Sequence, residues 1–422
     1  MSQPLLVGLD LGSSRIRLAM GQVSHQHDRG FALSVIGAVE VPSSGISKGV
    51  ISALEDAVAS VSAGLERAEQ QVGVPLDEAV VGISGTHITV MDAKGVIGVS
   101  KPDGDIREED IERVLESAKS AANPANFEIL HVLPHGFTID GQSGIKDPLG
   151  MHGIRMEADA HLVLGLAGNV RNMTKCVFRT GLDIASLVFG PLAAAESVTN
   201  TRERELGVCV VNIGASTTSI VVFEEGELLH ASVLPIGSDH ITSDIAIGLR
   251  TSLDAAEQLK VQHGSAIPGD YVKRDQVDLS SFGAEDAEDV SLLLVSEIIE
   301  ARVEEIFEKI EEELHRIDRS GMLPAGAILT GGGARLRGMV DVAKRILRLP
   351  ASIGASTHIS TPMPEIVHDP AFSTAVGLVE WGFAEIRGVS KGERGTMLRS
   401  RGSNIIGSVQ SHLKKMFKSF IP

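Results

Sequence analysis

A strand–turn–strand–strand pattern occurs twice in this chain, and it constrains the fold more than any other feature. The first copy has an apolar strand, a Gly-Ser-Ser turn and two further strands, at residues 5–11, 12–14, 15–23 and 31–41. The second copy has the same parts in the same order, at residues 206–213, 214–217, 218–223 and 228–235. Hydrophobic periodicity assigns the strands. A duplicated unit of this size predicts two similar α/β lobes that face each other across a cleft.

A spacing of 202 residues aligns the two copies. The aligned pairs are Asp10 with Asn212, Gly12 with Gly214 and Ser14 with Ser216. Helical patterns follow each copy, at residues 52–72 and 239–262, and a longer helix with one apolar stripe is predicted at 289–316. The two lobes are therefore each predicted to contain helices packed on a sheet.

The segment between the copies does not continue the repeat, which predicts an inserted α+β subdomain. At 422 residues the chain is also too long for one ordinary core. We predict a first lobe at 1–83 and 165–200, the inserted subdomain at 84–164, and a second lobe at 201–386 that includes a smaller subdomain at about 228–310. Beyond the lobes we predict a flexible linker at 387–403, rich in Gly, Ser and Arg, and a C-terminal helix at 404–422.

Composition and charge exclude several classes of protein. No stretch approaches about 18 uninterrupted apolar residues, so a membrane-spanning helix is not expected, and the first residues lack the basic start of a signal peptide. With only Cys176 and Cys209, a disulfide framework is not expected. Residues 387–422 carry a net charge of +7 within a chain of −17, so the preceding body carries −24. So acidic a body repels nucleic acid, and we predict no nucleic-acid partner.

Three glycine turns are the candidate phosphate-binding elements. Two are the hairpin turns of the repeat, Gly12-Ser13-Ser14 and Gly214-Ala215-Ser216-Thr217, and the third is Gly331-Gly332-Gly333, which follows a strand and precedes a helix pattern. Glycine and serine turns let several backbone N–H groups approach one phosphate. Any one such turn is weak evidence, because tight hairpins also need glycine. Together, two turns in register and a third strand–turn–helix predict that a polyphosphate is held between the lobes.

These motifs resemble a known superfamily. GLDLGSSR (8–15), VVNIGASTT (210–218) and TGGGARLRG (330–338) are similar to the phosphate-1, phosphate-2 and adenosine motifs of the actin, DnaK-chaperone and sugar-kinase superfamily. Within it, PIGSDHITSDIA (235–246), AAEQLK (255–260), the insertion after residue 83 and the basic tail resemble the FtsA family of cell-division proteins. The resemblance implies an actin-like, two-lobed α/β fold with duplicated RNase H-like lobes.

The resemblance also implies the ligand and its contacts, which are ATP or ADP with Mg²⁺. The residues that it assigns to the nucleotide are Gly12, Ser13, Ser14, Arg15, Asn212, Gly214, Ser216, Thr217, Gly237, Glu257, Lys260, Gly331, Gly332, Gly333 and Ala334. It assigns to Asp10 the positioning of water and of Mg²⁺ through water.

Asn212 departs from the superfamily pattern, which usually has an aspartate at this place in the phosphate-2 motif. An amide can donate to a phosphate but brings no charge for a cation. The polar residue that positions attacking water is also not evident in 189–198, where we interpret Glu196 as a solvated helix residue. We therefore predict that nucleotide is bound while hydrolysis is slow or absent.

The last residues form a basic amphipathic pattern that predicts a membrane-targeting helix. The residues expected to meet the membrane are Ile405, Ile406, Val409, Leu413, Lys414, Lys415, Met416, Phe417, Lys418 and Phe420. An apolar stripe flanked by lysines suits the surface of anionic lipid and is too polar to cross the bilayer. The alternative is a helix docked on the protein's own core. One tail would bind weakly, so several tails on a self-assembled filament would bind more firmly.

Two further predictions concern partners and metals. Arg302 lies in the acidic face of the helix at 289–316, at a position that resembles the FtsA surface for the C-terminal tail of FtsZ; a single ion pair with Glu305 is the alternative. The resemblance also implies actin-like filaments and contacts with other division proteins. His131 and His135 are four residues apart, but Pro134 disfavours a shared helical face, so we predict no metal site there.

The predicted function is an ATP-binding scaffold that tethers FtsZ filaments to the inner face of the cytoplasmic membrane at the division site. The alternatives are a pilus-assembly scaffold of the PilM type and a small-molecule kinase of the same superfamily. The missing second carboxylate and the lipid-seeking tail count against the kinase.

Overall fold

A computed structural model describes residues 5–26, 30–100, 103–122, 124–283 and 289–386 of the chain. The predicted linker and membrane helix, with their residues from Ile405 to Phe420, lie outside the described residues. The elements up to the insertion are β1 Leu5–Leu11, β2 Arg15–Gln26, β3 Gly30–Pro42, β4 Ile46–Ser47, β5 Val50–Ile51, α1 Leu54–Val72 and β6 Glu78–Ile83. The insertion contains β7 Ile88–Gly98, α2 Glu108–Ala121, β8 Phe127–Ile139, β9 Gln142–Ile145 and β10 Arg155–Leu166.

The remaining elements complete the first lobe and form the second. After the insertion come α3 Ala167–Arg179, β11 Asp183–Phe189, α4 Gly190–Val198 and α5 Thr201–Leu206. The second lobe begins with β12 Val208–Ile213, β13 Thr218–Glu224, β14 Glu227–Leu234, α6 Ser238–Leu249, α7 Leu253–His263, β15 Gln276–Asp278, β16 Asp289–Ser291 and α8 Leu292–Arg316. It continues with β17 Gly326–Thr330, α9 Met339–Leu347, β18 Ala351–Ile353, α10 Pro364–Val367 and α11 Ser373–Ile386.

The duplication extends to the order of the strands. The first sheet has the order β3-β2-β1-β6-β11, and the second has β14-β13-β12-β17-β18. In both sheets the two strands of the hairpin, β1 with β2 and β12 with β13, are antiparallel. The central strand, β1 or β12, is parallel to its other neighbour, β6 or β17. These parts correspond one to one, which confirms the predicted two-lobed actin-like fold.

The insertion forms a sheet of its own, in the order β7-β10-β8-β9. One face of this sheet packs on α2, where Ile111, Val114 and Leu115 meet alternate residues of β10. The opposite face meets the two lobes, because Leu133 and Val163 join a core that includes residues of both. The insertion is therefore an α+β unit seated on the lobes.

Two helices, α6 and α7, occupy the helical pattern predicted at 239–262. The α6 helix ends at Arg250, which adopts the left-handed conformation at φ 52°, and α7 begins after Ser252, whose side chain accepts a hydrogen bond from the N–H of Ala255. A left-handed residue followed by a serine N-cap stops one helix and starts the next. The apolar stripe predicted for 289–316 is confirmed, since the residues that form it are all buried along α8: Leu292, Val295, Ile299, Val303, Ile306, Ile310 and Leu314.

The α11 helix differs from its predicted place in the second lobe. It packs on the first sheet, where Ala375, Val376 and Val379 meet Ala19 and Val35. The reason is steric: a Cβ at Gly8 of β1 would lie 2.2 Å from the carbonyl oxygen of Ala375, so glycine there lets the helix approach. The chain thus returns from the second lobe to cover the first.

None of the described helices is both long and apolar enough to cross a membrane. Cys176 and Cys209 are buried as free thiols. Burial raises the pKa of the Cys209 thiol to about 12, as expected for a small core residue.

Candidate nucleotide cleft between the lobes

The two predicted hairpins have the same register. In the first, Asp10 pairs with Arg17 across β1 and β2; in the second, Asn212 pairs with Ser219 across β12 and β13. Val7, Leu9 and Leu11 of β1 pack into one core cluster, and Cys209, Val211 and Ile213 of β12 pack into another, so Asp10 and Asn212 lie on the opposite face of each strand. The sequence alignment by 202 residues therefore matches equivalent positions of the two sheets.

Ser13 and Ser216 bring the two turns into direct contact. The Ser216 hydroxyl donates to the Ser13 hydroxyl over 2.8 Å, although the residues are 203 positions apart. The backbone N–H of Lys48, in the β4–β5 turn of the first lobe, donates to the same Ser216 oxygen over 3.1 Å. The turns of the two lobes thus meet at one point, as the sequence predicted.

The second turn is braced by the start of α6. Backbone N–H groups of Ser238 and Asp239 donate to the carbonyl oxygens of Gly214 and Ala215, over 2.9 and 2.8 Å. A Cβ at Gly237 would lie 2.5 Å from the Ala215 oxygen, so only glycine fits between turn and helix. The N-terminal end of α6 is therefore fixed beside this turn, with its partial positive charge.

Lys260 reaches the same helix from α7. Its Nζ contacts Glu257 Oε2 at 2.5 Å, the Thr242 hydroxyl at 2.7 Å and the Ser238 carbonyl oxygen at 3.3 Å. Lys260 is buried, whereas Glu257 is half exposed. Nearby Asp239 has its pKa raised by burial and lowered in part by Lys260. The structure brings Glu257 and Lys260 beside the second turn, where the positive charge of Lys260 compensates the acids Glu257 and Asp239.

The third turn lies against the end of β12. Gly331 adopts φ 85°, and a Cβ there would lie 2.4 Å from Asn212 Oδ1. The turn continues as a 3-10 segment, Gly332–Arg335, and the α-helix begins only at Met339. This corrects the expectation that the glycines open a helix directly. Gly333 and Ala334 are buried within the 3-10 segment.

Asn212 is held by the last helix. Its side-chain amide donates to the Thr374 hydroxyl of α11 over 3.1 Å. The amide N–H₂ thus joins the second lobe to a helix that packs on the first, which is a structural use of this residue that the sequence did not indicate. Its oxygen faces the backbone of Gly331.

Asp10 and Arg17 are charged residues that lie opposite each other on β1 and β2, next to the turn of the first hairpin. Burial raises the pKa of Asp10 to about 6, and the Arg17 guanidinium offsets part of that effect. Arg17 Nη2 pairs with Glu40 at 2.6 Å, while Arg15, at the same face of β2, is more exposed and 3.9 Å from Glu40. A Cβ at Gly332 would lie 3.7 Å from Arg17 Nη2, so the first lobe meets the third turn here.

Arg17 is the residue of this group that the sequence analysis missed. The signal was present, because residues two apart on a strand share a face and Arg15 had been assigned to the nucleotide. Glu196 was misinterpreted as a solvated residue. Its carboxylate pairs with Arg204 at 2.9 Å and only 14% of its side chain is exposed. It is therefore part of a partly buried ion pair between α4 and α5.

Arg302 makes more contacts than the single pair weighed from the sequence. Its Nε and Nη2 contact both carboxylate oxygens of Asp244 on α6, at 2.5 and 2.9 Å, and its Nη1 contacts Glu305 at 2.5 Å. Asp244 is 58 residues away in sequence, so helical spacing could not predict it. This ion pair ties α6 to α8.

The residues of the cleft fit a polyphosphate. Among the described residues, the backbone N–H groups of Ser13, Ser14, Ala215 and Ser216 have no hydrogen-bond acceptor in the protein. Unpaired N–H groups at two facing turns, beside a helix N-terminus and a buried lysine, favour an anion. Asp10, at the end of β1, offers a carboxylate contact for a hydrated divalent cation.

Solved structures share this architecture at low sequence identity. A PilM–PilN type IV pilus biogenesis complex aligns with a TM-score of 0.65 and 16% identity over 92% of this chain and 99% of that one. MreB5 of Spiroplasma citri bound to ADP aligns with a TM-score of 0.51 and 12% identity, over 92% of this chain and 98% of that one. These likenesses show the fold.

Comparisons of sequence identify the family. The family model "Cell division protein FtsA" matches residues 209–377, and "SHS2 domain inserted in FTSA" matches residues 85–164. The chain is 35% identical to the FtsA of Pseudomonas aeruginosa over 381 residues, which cover 90% of each protein. It is 35% identical to that of Bacillus subtilis, over 91% of this chain and 84% of the relative, and 34% identical to that of Escherichia coli K12, over 90% of both. The chain with the two facing serine turns belongs to the FtsA family of cell division proteins.

Proposed function

We propose that this chain binds ATP or ADP with Mg²⁺ in the cleft between its lobes, self-assembles, and tethers FtsZ filaments to the inner face of the cytoplasmic membrane. The observation that carries the nucleotide site is the contact between Ser13 and Ser216. Two turns from separate lobes lie within one hydrogen bond of each other, and both carry unpaired N–H groups. The ADP bound to MreB5, which has the same fold, agrees with this assignment.

The Ser13–Ser216 bond also sets how a phosphate enters. The Ser216 hydroxyl donates to Ser13 in the structure, so a phosphate between the turns must replace Ser13 as its acceptor, whereas the Ser13 hydroxyl can donate to the phosphate directly. Charge-assisted bonds to a phosphate are stronger than the neutral bond that they replace. Nucleotide binding and the relative position of the lobes are thereby coupled in this proposal.

Calorimetric titration with ATP and Mg²⁺ tests the site. We expect saturable binding by the wild-type protein and a loss of at least about tenfold in Ser13→Glu, because a carboxylate there repels phosphate. Ser120→Glu makes the same change on the exposed side of α2 in the insertion and should bind as the wild type does. No saturable uptake by the wild type, or normal binding by Ser13→Glu, would refute the site.

Within this proposal, hydrolysis is slow or absent, because the amide of Asn212 is engaged by Thr374 and brings no charge. When bound, Mg²⁺ would neutralise phosphate charge, and Asp10 would hold it through water. The expected turnover lies below roughly one per second. A faster turnover that Asp10→Ala abolishes would contradict this part of the proposal.

Membrane attachment rests on the pattern of residues 404–422, from Ile405 to Phe420. The experiment is co-sedimentation of the full chain, and of a chain ending at residue 403, with vesicles of anionic or of neutral lipid. We expect the full chain to sediment with anionic vesicles, more strongly when self-assembled, and the shortened chain to remain in the supernatant. Equal sedimentation of both chains would assign the last residues to another role.

The partner proposal rests on family membership together with Arg302. Capture by an immobilised peptide of the FtsZ C-terminal tail tests it, with filament formation followed by light scattering under the same conditions. Failure to bind the peptide, with binding to pilus components instead, would favour a PilM-type scaffold. Phosphorylation of a small substrate in the presence of ATP would favour the kinase alternative.

A further inference from the structure

Three potential metal ligands meet on the face of the inserted sheet that turns toward the second lobe. Asp92, His135 and His161 come from β7, β8 and β10, and their ligand atoms all lie within 4.8 Å of one another. Asp92 and His161 face each other directly in the pairing of β7 with β10. His135 falls at an irregularity in the pairing of β8 with β10, where Asp159 pairs with Gly136 but Ala160 pairs with Pro134. An extra residue in one strand re-aims a side chain, which here joins the group.

The contacts within the group are close. His161 Nδ1 lies 2.7 Å from Asp92 Oδ1, and the rings of His135 and His161 stack with centroids 4.5 Å apart. Only 11% of the His161 side chain is exposed, whereas 83% of the Asp92 side chain is exposed. One ligand is therefore anchored in the protein and another borders solvent, which gives an ion a path of entry.

The surroundings of His161 act on its pKa in both directions. Its pKa is lowered by burial first and by the charge of His135 second, while Asp92 and a backbone hydrogen bond with Leu228 act in the opposite direction. The 2.7 Å contact of His161 Nδ1 with Asp92 Oδ1 is that of a hydrogen bond, and a metal ion bound there would take the place of the proton between them.

The second lobe borders the same place. A cleft of about 210 Å³ is lined by Asp92 and His161 from the insertion and by Leu229, His230 and Ile317 from the second lobe. His230 is itself paired with Glu313 at 3.0 Å, and Glu227 of β14 is near enough to His135 for their charges to interact. The acids of the second lobe add negative potential around the group.

We propose that Asp92, His135 and His161 bind a divalent first-row transition ion, with Zn²⁺ as the test ion, at the seam between the inserted sheet and the second lobe. Two imidazoles and one carboxylate suit such ions, whereas Mg²⁺ and Ca²⁺ prefer oxygen ligands. Three protein ligands leave a fourth position for water or for His230.

The distances allow this with side-chain movement alone. Ligands of a tetrahedral zinc ion, at about 2.0–2.1 Å from the metal, stand roughly 3.3–3.5 Å apart. Ligand atoms that now stand up to 4.8 Å apart must approach by as much as about 1.4 Å, whereas His161 Nδ1 and Asp92 Oδ1, now 2.7 Å apart, must separate by about 0.7 Å. Asp92 is exposed and His135 is half-buried, so rotation of these two side chains can supply that movement.

Equilibrium dialysis of untagged, nucleotide-free, full-length protein against Zn²⁺, after removal of metal by a chelator, tests the proposal. We expect about one ion per chain, with affinity reduced at least tenfold in His135→Ala and in Asp92→Asn. The control is His358→Ala, which removes a histidine that also pairs with one carboxylate, Glu380, but belongs to no such group. Reduced binding in the two group variants and normal binding in the control support the site.

Substitution with Co²⁺ gives a second readout that does not depend on affinity alone. Four-coordinate Co²⁺ with histidine ligands absorbs visible light more strongly than the hydrated ion, and His161→Ala should remove that band. Circular dichroism establishes whether each variant is folded. If His161→Ala is not folded, the loss of the band is measured in His135→Ala instead. No saturable Zn²⁺ binding, or binding that persists in the folded group variants, would overturn the proposal.

Discussion

His131 Nε2 accepts a hydrogen bond of 2.8 Å from the backbone N–H of Phe189. This bond joins β8 of the insertion to the last residue of β11 in the first lobe, and the His131 ring lies 5.4 Å from that of Trp381 on α11. Burial lowers the pKa of His131 to about 4, so the ring is neutral and can accept at neutral pH. The packing of the insertion on the first lobe thus depends on an uncharged histidine.

Lowering the pH should weaken the packing of the insertion on the first lobe. Because the folded pKa of about 4 lies below the ordinary value of about 6.5, the contribution to stability is complete above pH 6.5 and is lost as the pH falls toward 4. The full loss is on the order of 3 kcal/mol. His131→Gln keeps an acceptor without a charge, so its free energy of unfolding should fall less between pH 7.5 and 4.5. Urea unfolding followed by fluorescence of Trp381, the one tryptophan in the sequence, measures this.

His358→Gln provides the comparison, because half of the His358 side chain is exposed and it faces Glu380 instead of a buried amide. It should change the acid response less than His131→Gln does. If His131→Gln and the wild type lose the same stability on acidification, the pKa of His131 does not control the packing of the insertion on the first lobe.

Asp10 should show the opposite dependence on pH. Its pKa is raised from 3.8 to about 6 by burial, so the folded protein disfavours the ionised carboxylate. The free energy of unfolding therefore falls as pH rises from about 4 to 6, and the cost persists above pH 6. The change that Asp10→Asn makes in the free energy of unfolding should be more favourable at pH 7.5 than at pH 4 by about 1–3 kcal/mol. Denaturant unfolding at the two pH values measures the difference.

Asp77→Asn, an exposed position just before β6 in the same sheet, should produce no such difference. In the nucleotide proposal the two variants also separate in function: Asp10→Asn loses the effect of Mg²⁺ on nucleotide affinity, and Asp77→Asn keeps it. A stabilising effect equal at both pH values would mean that the charge of Asp10 is not the cause.

The hairpins could be predicted from the sequence because their information is local. Apolar residue patterns assign the strands, the turns have three and four residues, and a constant spacing then gives the equivalence of Asp10 with Asn212. The same holds for the buried stripe of α8. The left-handed residue Arg250 gave no such signal, since arginine is rarely used to end a helix, so the helical pattern at 239–262 did not indicate where one helix ends and the next begins.

Contacts between distant segments could not be predicted in the same way. The bond from Asn212 to Thr374, the pair of Arg302 with Asp244, and the return of α11 to the first sheet each join residues far apart in sequence. The grouping of His135 with His161 and Asp92 depends on strand register and on one irregularity in it. Spacing along the chain carries no information on such contacts, which is why His135 was compared only with His131.

Gly237 tests whether the second turn must touch α6. An alanine Cβ there would lie 2.5 and 2.7 Å from the carbonyl oxygens of Ala215 and Gly214, so the turn must move away from the helix. Gly237→Ala should lower nucleotide affinity at least tenfold and destabilise the protein by about 1–3 kcal/mol. Gly136→Ala, which meets nothing within 4 Å, isolates the effect of the extra methyl group. Similar affinity in the two variants would show that the turn tolerates the displacement.

Arg302 distinguishes a structural ion pair from a contact with a partner. Asp244 binds two of its nitrogens, so Asp244→Asn weakens the grip of α6 on the guanidinium and leaves it free to meet an anionic group on a peptide. If Arg302 contacts the FtsZ tail, Arg302→Ala should weaken peptide binding about five- to tenfold, and Asp244→Asn should maintain or tighten it. Fluorescence anisotropy of a labelled tail peptide measures both affinities.

Arg345 supplies the matched control. It contacts Glu300 and Glu304 on α8, both at 2.9 Å, and it is likewise an arginine held by two acids of the same region. Arg345→Ala removes the same charge without removing the proposed contact, so it should leave peptide affinity within about twofold of the wild type. Equal weakening by Arg302→Ala and Arg345→Ala would mean that only the net charge of the surface matters. Because the ion pair of Arg302 with Asp244 is partly buried, its loss should cost no more than about 1–2 kcal/mol, which a folded variant tolerates.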